Sequence, residues 1–153
     1  MQSSLFTGPN PNCKFCKIVR SEVQSYRVFE DDVSLAFLDT RPLFPGHCLL
    51  IPKLHYETLI DLPASLVAPL FQNAQLLAGA IEKGLKADGT FVAINNRVSQ
   101  SVPHLHIHVV PRHKKDGLKG FFWPRQRYED EEAILSMQST LRATIGQLRS
   151  EAP

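Results

Sequence analysis

Three histidines alternate with apolar residues in the segment Pro103-His104-Leu105-His106-Ile107-His108-Val109-Val110-Pro111. Alternate side chains of a strand share a face, so His104, His106 and His108 stand together while Leu105, Ile107 and Val109 point the other way. Burying three imidazoles without a use would leave six ring nitrogens to be partnered, at about 1 to 3 kcal/mol for each unsatisfied group. Metal binding is one use. At about 3.3 Å per residue His104 and His108 lie roughly 13 Å apart along a strand, too far for one ion to take all three, whereas a neighbouring pair can chelate. Nucleophilic catalysis is the other use. A neutral imidazole, with a pKa of about 6.5, can attack phosphorus or a carbonyl, and an adjacent histidine can donate a proton to the leaving group. The preceding loop supplies Asn95, Gln100 and Ser101, neutral hydrogen-bonding groups suited to a phosphate without a metal. A second motif is the pair Cys13 and Cys16, whose Cys-x-x-Cys spacing in an intracellular chain points more often to metal binding or redox chemistry than to a structural bridge.

The elements that must position these residues read as α+β. Tyr26 to Glu30 and Val33 to Leu38 form two strands joined by a tight turn at Asp31-Asp32. After the loop marked by Pro42 and Pro45-Gly46, His47 to Ile51 is a short buried strand that ends at Pro52. Between Asp61 and Gly84 the spacing becomes helical, with Leu66, Leu70, Ala74, Leu77 and Ile81 on one face. Asp61 suits the cap of this helix, Pro63 its first turn and Gly84 its end. Thr90 to Asn95 and Leu105 to Val110 add two strands, which makes an antiparallel sheet of about five. A final amphipathic helix is expected over Glu129 to Arg149, its acidic start and basic end matched to the helix macrodipole. This gives a flexible leader over residues 1–12, one domain over residues 13–153, and within it a C-terminal appendage over residues 112–153.

With 153 residues, 43% of them hydrophobic and 21% charged, the chain has the composition of a globular domain and not of a disordered one. A formal charge of +2 is too small for the basic stripe that non-specific nucleic-acid or membrane-surface binding requires. Continuous apolar runs fall short of the 18 or more residues of a membrane span. The first residues lack a signal-peptide pattern, and three cysteines are an odd number for a disulfide framework, so a cytoplasmic location is expected.

The segment from Gln100 to Val110 resembles the signature of the histidine triad (HIT) family of nucleotide hydrolases and transferases. The stretches Phe37 to His47 and Ile51 to His55, and the N-terminal Cys13 to Val19, are also similar to that family, in order from about residue 13 to 112. The resemblance implies an α+β HIT-like fold and a homodimer formed through the long helix and a sheet edge. It implies a purine nucleotide substrate carrying a leaving group on its α-phosphate: a phosphoramidate, an adenylyl-sulfate or a dinucleoside polyphosphate. His106 would be the nucleophile that forms a nucleotidyl-histidine, later hydrolysed by water, with a backbone carbonyl fixing its tautomer. His108 would contact the phosphate and help position the nucleophile, and His47 is the fourth active-site histidine. Asp39 would hold the ribose hydroxyls, while Asn95, Gln100 and Ser101 bind phosphate and assist the leaving group. Several bacterial-type members complete a structural zinc site with the histidine after the Ile-Pro-Lys segment and the first triad histidine, which implies such a site from Cys13, Cys16, His55 and His104 here; no catalytic metal is then required. The competing reading of the cysteines is a free thiol pair, with Cys48 a small buried hydrophobe.

Two features depart from the family pattern. The loop Asn95 to Gln100 is about two residues shorter than the common version, and Ser99 stands where a glycine is usual. In Gly120 to Arg125, Trp123 or an arginine reaches an active site, or else the aromatics cover a sheet edge or dimer seam. Arg112, His113, Lys114 and Lys115 are candidates for attracting polyphosphate. The alternatives to hydrolysis are nucleotidyl transfer or phosphorolysis through the same intermediate, a non-catalytic nucleotide-binding scaffold, and a metal-dependent hydrolase with an open histidine site.

Overall fold

The computed structural model describes residues 10–119 and 126–151, and in it the first hairpin closes on Asp31. The Asp31 carboxylate accepts hydrogen bonds from the backbone N–H groups of Val33 and Ser34, both at 2.8 Å, a side-chain turn that pairs β1 (Arg27–Glu30) with β2 (Ser34–Leu38). β2 pairs in turn with β3 (Cys48–Pro52), with Leu35 opposite Ile51 and Phe37 opposite Leu49. β5 (Ile107–Arg112) pairs with β3 on one side and with β4 (Gly89–Ala93) on the other. The result is a five-stranded antiparallel sheet in the order β1-β2-β3-β5-β4, with β4 at one edge.

Alternation along the central strands divides the apolar side chains between two layers. Ala36, Cys48, Leu50, Leu105, Ile107 and Val109 pack against Leu70, Ala74, Leu77 and Ile81 of the long helix α2 (Ala64–Leu85). Leu35, Phe37, Leu49 and Ile51 turn to the opposite face and meet Cys13, Phe15, Cys16 and Ile18. These belong to or adjoin α1 (Lys14–Val19), a six-residue helix absent from the sequence-based expectation. A helix this short is not stable alone, and no periodicity announces it. β3 is therefore buried on both faces, which explains its unbroken apolar run.

The long helix differs from expectation at both ends. Asp61 does not cap it; its carboxylate accepts hydrogen bonds from the Thr58 backbone N–H and hydroxyl, closing a 3-10 turn at Leu59–Asp61 one step earlier. α2 begins after Pro63 without a side-chain cap, runs through Gly84, and ends where Lys86 takes the left-handed conformation at φ 53°. α2 is long and apolar enough to cross a membrane by length and composition alone, but one of its faces packs on the sheet as a core helix does.

The chain divides into two compact units, Met1–Asp116 and Gly117–Pro153. The second contains α3 (Glu131–Glu151), two residues later at each end than expected, whose start is capped by Asp130 accepting from the Ala133 N–H at 2.8 Å. The leader lies outside the described residues as far as residue 9, as does Gly120 to Arg125 with Trp123.

Candidate active site and metal centre

β5 begins at Ile107, so only His108 of the three histidines sits in the ladder. The alternation nevertheless extends back through the preceding residues, because the Leu105 N–H donates to the Tyr56 carbonyl and Leu105 stays fully buried on the α2 side. His104 and His106 consequently face α1, on the same side as His108. His47 joins them from β3: Leu49 lies opposite His108, which makes His47 its diagonal neighbour. Gly46, at φ +97°, turns the chain from the Pro45 loop into β3, a conformation that side chains disfavour. A Cβ there would also meet Leu85.

The hydrogen bonds fix which ring nitrogens carry protons. His106 Nδ1–H donates to the His104 carbonyl at 2.7 Å, because a carbonyl can only accept. Its Nε2 is then the unprotonated nitrogen. His47 Nδ1 accepts from the Leu43 N–H at 3.1 Å, so His47 carries its proton on Nε2 and donates it to His108 Nδ1 at 3.0 Å. Neutral His108 therefore presents Nε2–H. The ring centroids of His106 and His108 are 4.9 Å apart with the planes at 63°, so a ring with an unprotonated Nε2 packs against one that carries Nε2–H. Burial keeps all these rings neutral at pH 7. Desolvation lowers His106 and His47, with Asp39 opposing it in both, and drives His108 down to about 4.

Asp39 closes the β2 to β3 connection, its N–H donating to the His47 carbonyl at 2.9 Å. One carboxylate oxygen accepts from the Arg41 N–H at 2.9 Å, as a turn residue does, and the other lies 3.8 Å from His47 Nδ1. Asp39, His47 and His108 could also gather around an ion, but their 3.0 Å imidazole contact already joins the facing nitrogens. The loop residues are spent differently. Gln100 braces its own loop, accepting from the Arg97 N–H at 2.8 Å and donating to the Glu57 carbonyl at 2.6 Å. Asn95 donates to the Ser99 carbonyl at 3.3 Å, and Ser101 is exposed. Ser99 takes φ 60° in place of the usual glycine, so this loop keeps a left-handed residue despite the substitution. Arg112, a polyphosphate candidate, is held bidentately by Asp116 at 2.6 and 3.0 Å.

Behind the histidines lies a second cluster. Cys13, Cys16, His55 and His104 are all buried, with their ligand atoms within 4.8 Å of one another. His104 Nε2–H donates to the Pro52 carbonyl at 2.8 Å, which aims the Nδ1 lone pair at the Cys13 and Cys16 sulfurs, 3.4 and 3.6 Å away. His55 Nδ1 is 3.4 Å from Cys16 Sγ. Tetrahedral zinc, with Zn–S of about 2.3 Å and Zn–N of about 2.0 to 2.1 Å, separates sulfur and nitrogen ligands by about 3.6 Å, so the donor set fits. The Pro52 carbonyl is the orienting partner that metal-bound imidazoles usually have. Burial pushes the Cys16 thiol up and His104 down to about 4. Cys48 stands apart, buried on the α2 side, its thiol donating to the Gly46 carbonyl and pushed up to about 11 by burial.

The HIT domain model matches residues 20–115, which contain every histidine named above. The chain belongs to the HIT family. It is 43% identical over 109 residues to the adenylylsulfatase HINT3 of Arabidopsis thaliana, covering 70% of this chain and 55% of that protein, so it spans about half the length of that curated relative. It is 38% identical over 118 residues to the adenosine 5'-monophosphoramidase HNT1 of Saccharomyces cerevisiae, covering 74% of this chain and 71% of that protein. Among solved structures, a Zn-bound histidine triad family protein from Mycobacterium smegmatis is similar with a TM-score of 0.67 at 39% identity, covering 92% of this chain and 98% of that one.

Proposed function

We propose that this HIT protein hydrolyses a purine nucleoside 5'-phosphate derivative at its α-phosphate through a nucleotidyl-histidine on His106. The observation that carries the reading is the His106 Nδ1–H bond to the His104 carbonyl, which leaves a neutral Nε2 lone pair on a ring packed against His108. In the first step His106 Nε2 forms a bond to the α-phosphorus as the bond to the leaving group breaks. His108 Nε2–H steadies the phosphoryl oxygens, and His47 holds His108 in the tautomer that can donate. Sulfate departs as the anion. An amine departs with a proton that the exposed Ser101 hydroxyl relays from solvent. In the second step water attacks the same phosphorus and gives up a proton to solvent, the P–N bond breaks with its electron pair returning to His106 Nε2, and the nucleoside 5'-monophosphate leaves. Asp39, at the rim, binds the ribose hydroxyls through the oxygen not committed to Arg41, and the loop braced by Asn95 and Gln100 borders the phosphate.

The names of the Arabidopsis and yeast relatives support an adenylyl-sulfate or a phosphoramidate as the substrate class. Cys13, Cys16, His55 and His104 would hold a structural zinc, a reading supported by the spacing of their donor atoms and by the Zn-bound relative. Four protein ligands leave no open coordination position, so such an ion ties the N-terminal segment to the sheet. Buried free cysteines suit a reducing cytoplasm. The exposed apolar residues Val67 and Phe71 of α2 and Val92 on the edge strand β4 support a homodimer through the helix and sheet edge. Steady-state turnover of adenosine phosphoramidate, adenylyl-sulfate and diadenosine polyphosphates tests the reading. Release of a nucleoside 5'-monophosphate from any of them supports it, and binding without turnover of all of them overturns it in favour of a nucleotide-binding scaffold.

A further inference from the structure

We propose that Phe15 is a positioning residue for His106, and that through it the orientation of the His106 ring is tied to the Cys13/Cys16 segment. The inference rests on the assignment of His106 as nucleophile. Among the described residues a single hydrogen bond anchors the His106 ring, at Nδ1, and leaves its tilt about that bond to be set by packing. Two aromatic rings among the described residues pack against it. His108 lies 4.9 Å away at 63°, and Phe15 lies 5.2 Å away at 86°, edge to face. Phe15 is 4% exposed and also stands edge to face with His104 at 5.9 Å and with Phe37 at 5.5 Å. It packs against both the side chain of His104, the residue whose backbone carbonyl fixes the His106 tautomer, and the His106 ring itself.

Phe15 is itself held from both sides of the sequence. Cys13 and Cys16 bracket it, and their sulfurs meet His104 and His55. Beyond it, Arg27 Nη2 donates to the Ile18 carbonyl at 2.7 Å, tying the far end of α1 to β1. A six-residue helix has little stability of its own, so these attachments set where Phe15 sits. Loosening the cysteine cluster releases the near end of α1 and, with it, the Phe15 ring that packs against His106.

The test compares Phe15→Leu with Leu35→Ala, a control in the same apolar layer that has no ring to lose. Turnover is measured together with the imidazole signals of His106 in protein labelled with 15N-histidine, assigned by their loss in His106→Asn. The expected result for Phe15→Leu is a fall in kcat of roughly 2- to 12-fold, the range that a lost edge-to-face contact corresponds to. KM stays unchanged and the His106 signals shift. Phe15→Tyr, which keeps the ring, restores both, and Cys16→Ser shifts the same His106 signals in the wild-type background but not in Phe15→Leu. Leu35→Ala lowers the melting temperature without either effect. The proposal is overturned if Phe15→Leu and Leu35→Ala differ only in stability, if Phe15→Leu raises KM at unchanged kcat, or if the His106 signals ignore both Phe15 and Cys16. Should the wild type turn over none of the nucleotides, the hydrolase reading fails, while the imidazole signals still decide for or against Phe15.

Discussion

Replacing His47 separates its two hydrogen bonds and shows which of them serves catalysis. His47 is 3% exposed and links the Leu43 N–H at Nδ1 to His108 at Nε2. In His47→Ala both partners lose their bond, and at about 1 to 3 kcal/mol each the stability loss is roughly 2 to 6 kcal/mol. In the proposed mechanism catalysis depends on the second bond alone, because it keeps the His108 proton on Nε2. Losing it costs about 1 to 3 kcal/mol of transition-state stabilisation, or roughly 5- to 150-fold in kcat/KM. Two conservative variants divide these effects. The amide nitrogen of His47→Gln falls near the position of Nε2 and can still donate to His108, whereas the amide oxygen of His47→Asn falls near Nδ1 and can still accept from Leu43. The expected outcome is that Gln recovers most of the activity and Asn most of the stability, as read by kcat/KM for adenylyl-sulfate and by thermal melts. Equal activity in the Gln and Asn variants, or full activity in His47→Ala, would refute the tautomer assignment.

Other outcomes follow from the same geometry. Leu50, fully buried between β3 and α2, should cost about 2 to 5 kcal/mol as Leu50→Ala, with activity per folded molecule retained; denaturant titration and active-site counting check this. His108 is driven from its ordinary value of about 6.5 to about 4, so between those values the unfolded chain binds a proton that the folded chain refuses. Stability should therefore fall as pH drops through that window, and His108→Asn should flatten the slope in melts from pH 7 to 4. Gly46→Ala should destabilise because of its φ of +97°, and adding Leu85→Ala should not restore stability, since relieving the contact leaves the backbone conformation unchanged. Chelation should lower the melting temperature of the wild type but not of Cys13→Ser or Cys16→Ser, and metal content by mass spectrometry of the native protein should fall in both variants.

The two periodicities in the chain carried most of the fold. Period-two alternation placed Leu105, Ile107 and Val109 opposite the histidines, and helical spacing placed Leu70, Ala74, Leu77 and Ile81 on one buried face. Less visible was anything set by contacts distant in sequence. Asp61 reads as a cap for the long helix, yet Thr58, three residues upstream, claims its carboxylate. α1 is too short for a period, and Phe15 inside it gains its place beside His106 from residues some ninety positions away. The tautomers of His47 and His108 depend on the Leu43 N–H, a backbone group with no signature in residue type. Residue type and the family pattern both put Gln100 and Asn95 at the phosphate, while here their amides brace the loop itself.

The most direct measurement of the central claim is intact-protein mass during turnover of adenylyl-sulfate, with acid-labile adducts preserved, for the wild type and His106→Ala. The expected result is a transient increase of one adenylyl group on the wild type, located to His106 and absent from the variant, which no longer releases AMP while still binding nucleotide. AMP release by His106→Ala at the wild-type rate, or an adduct on another residue, would contradict it.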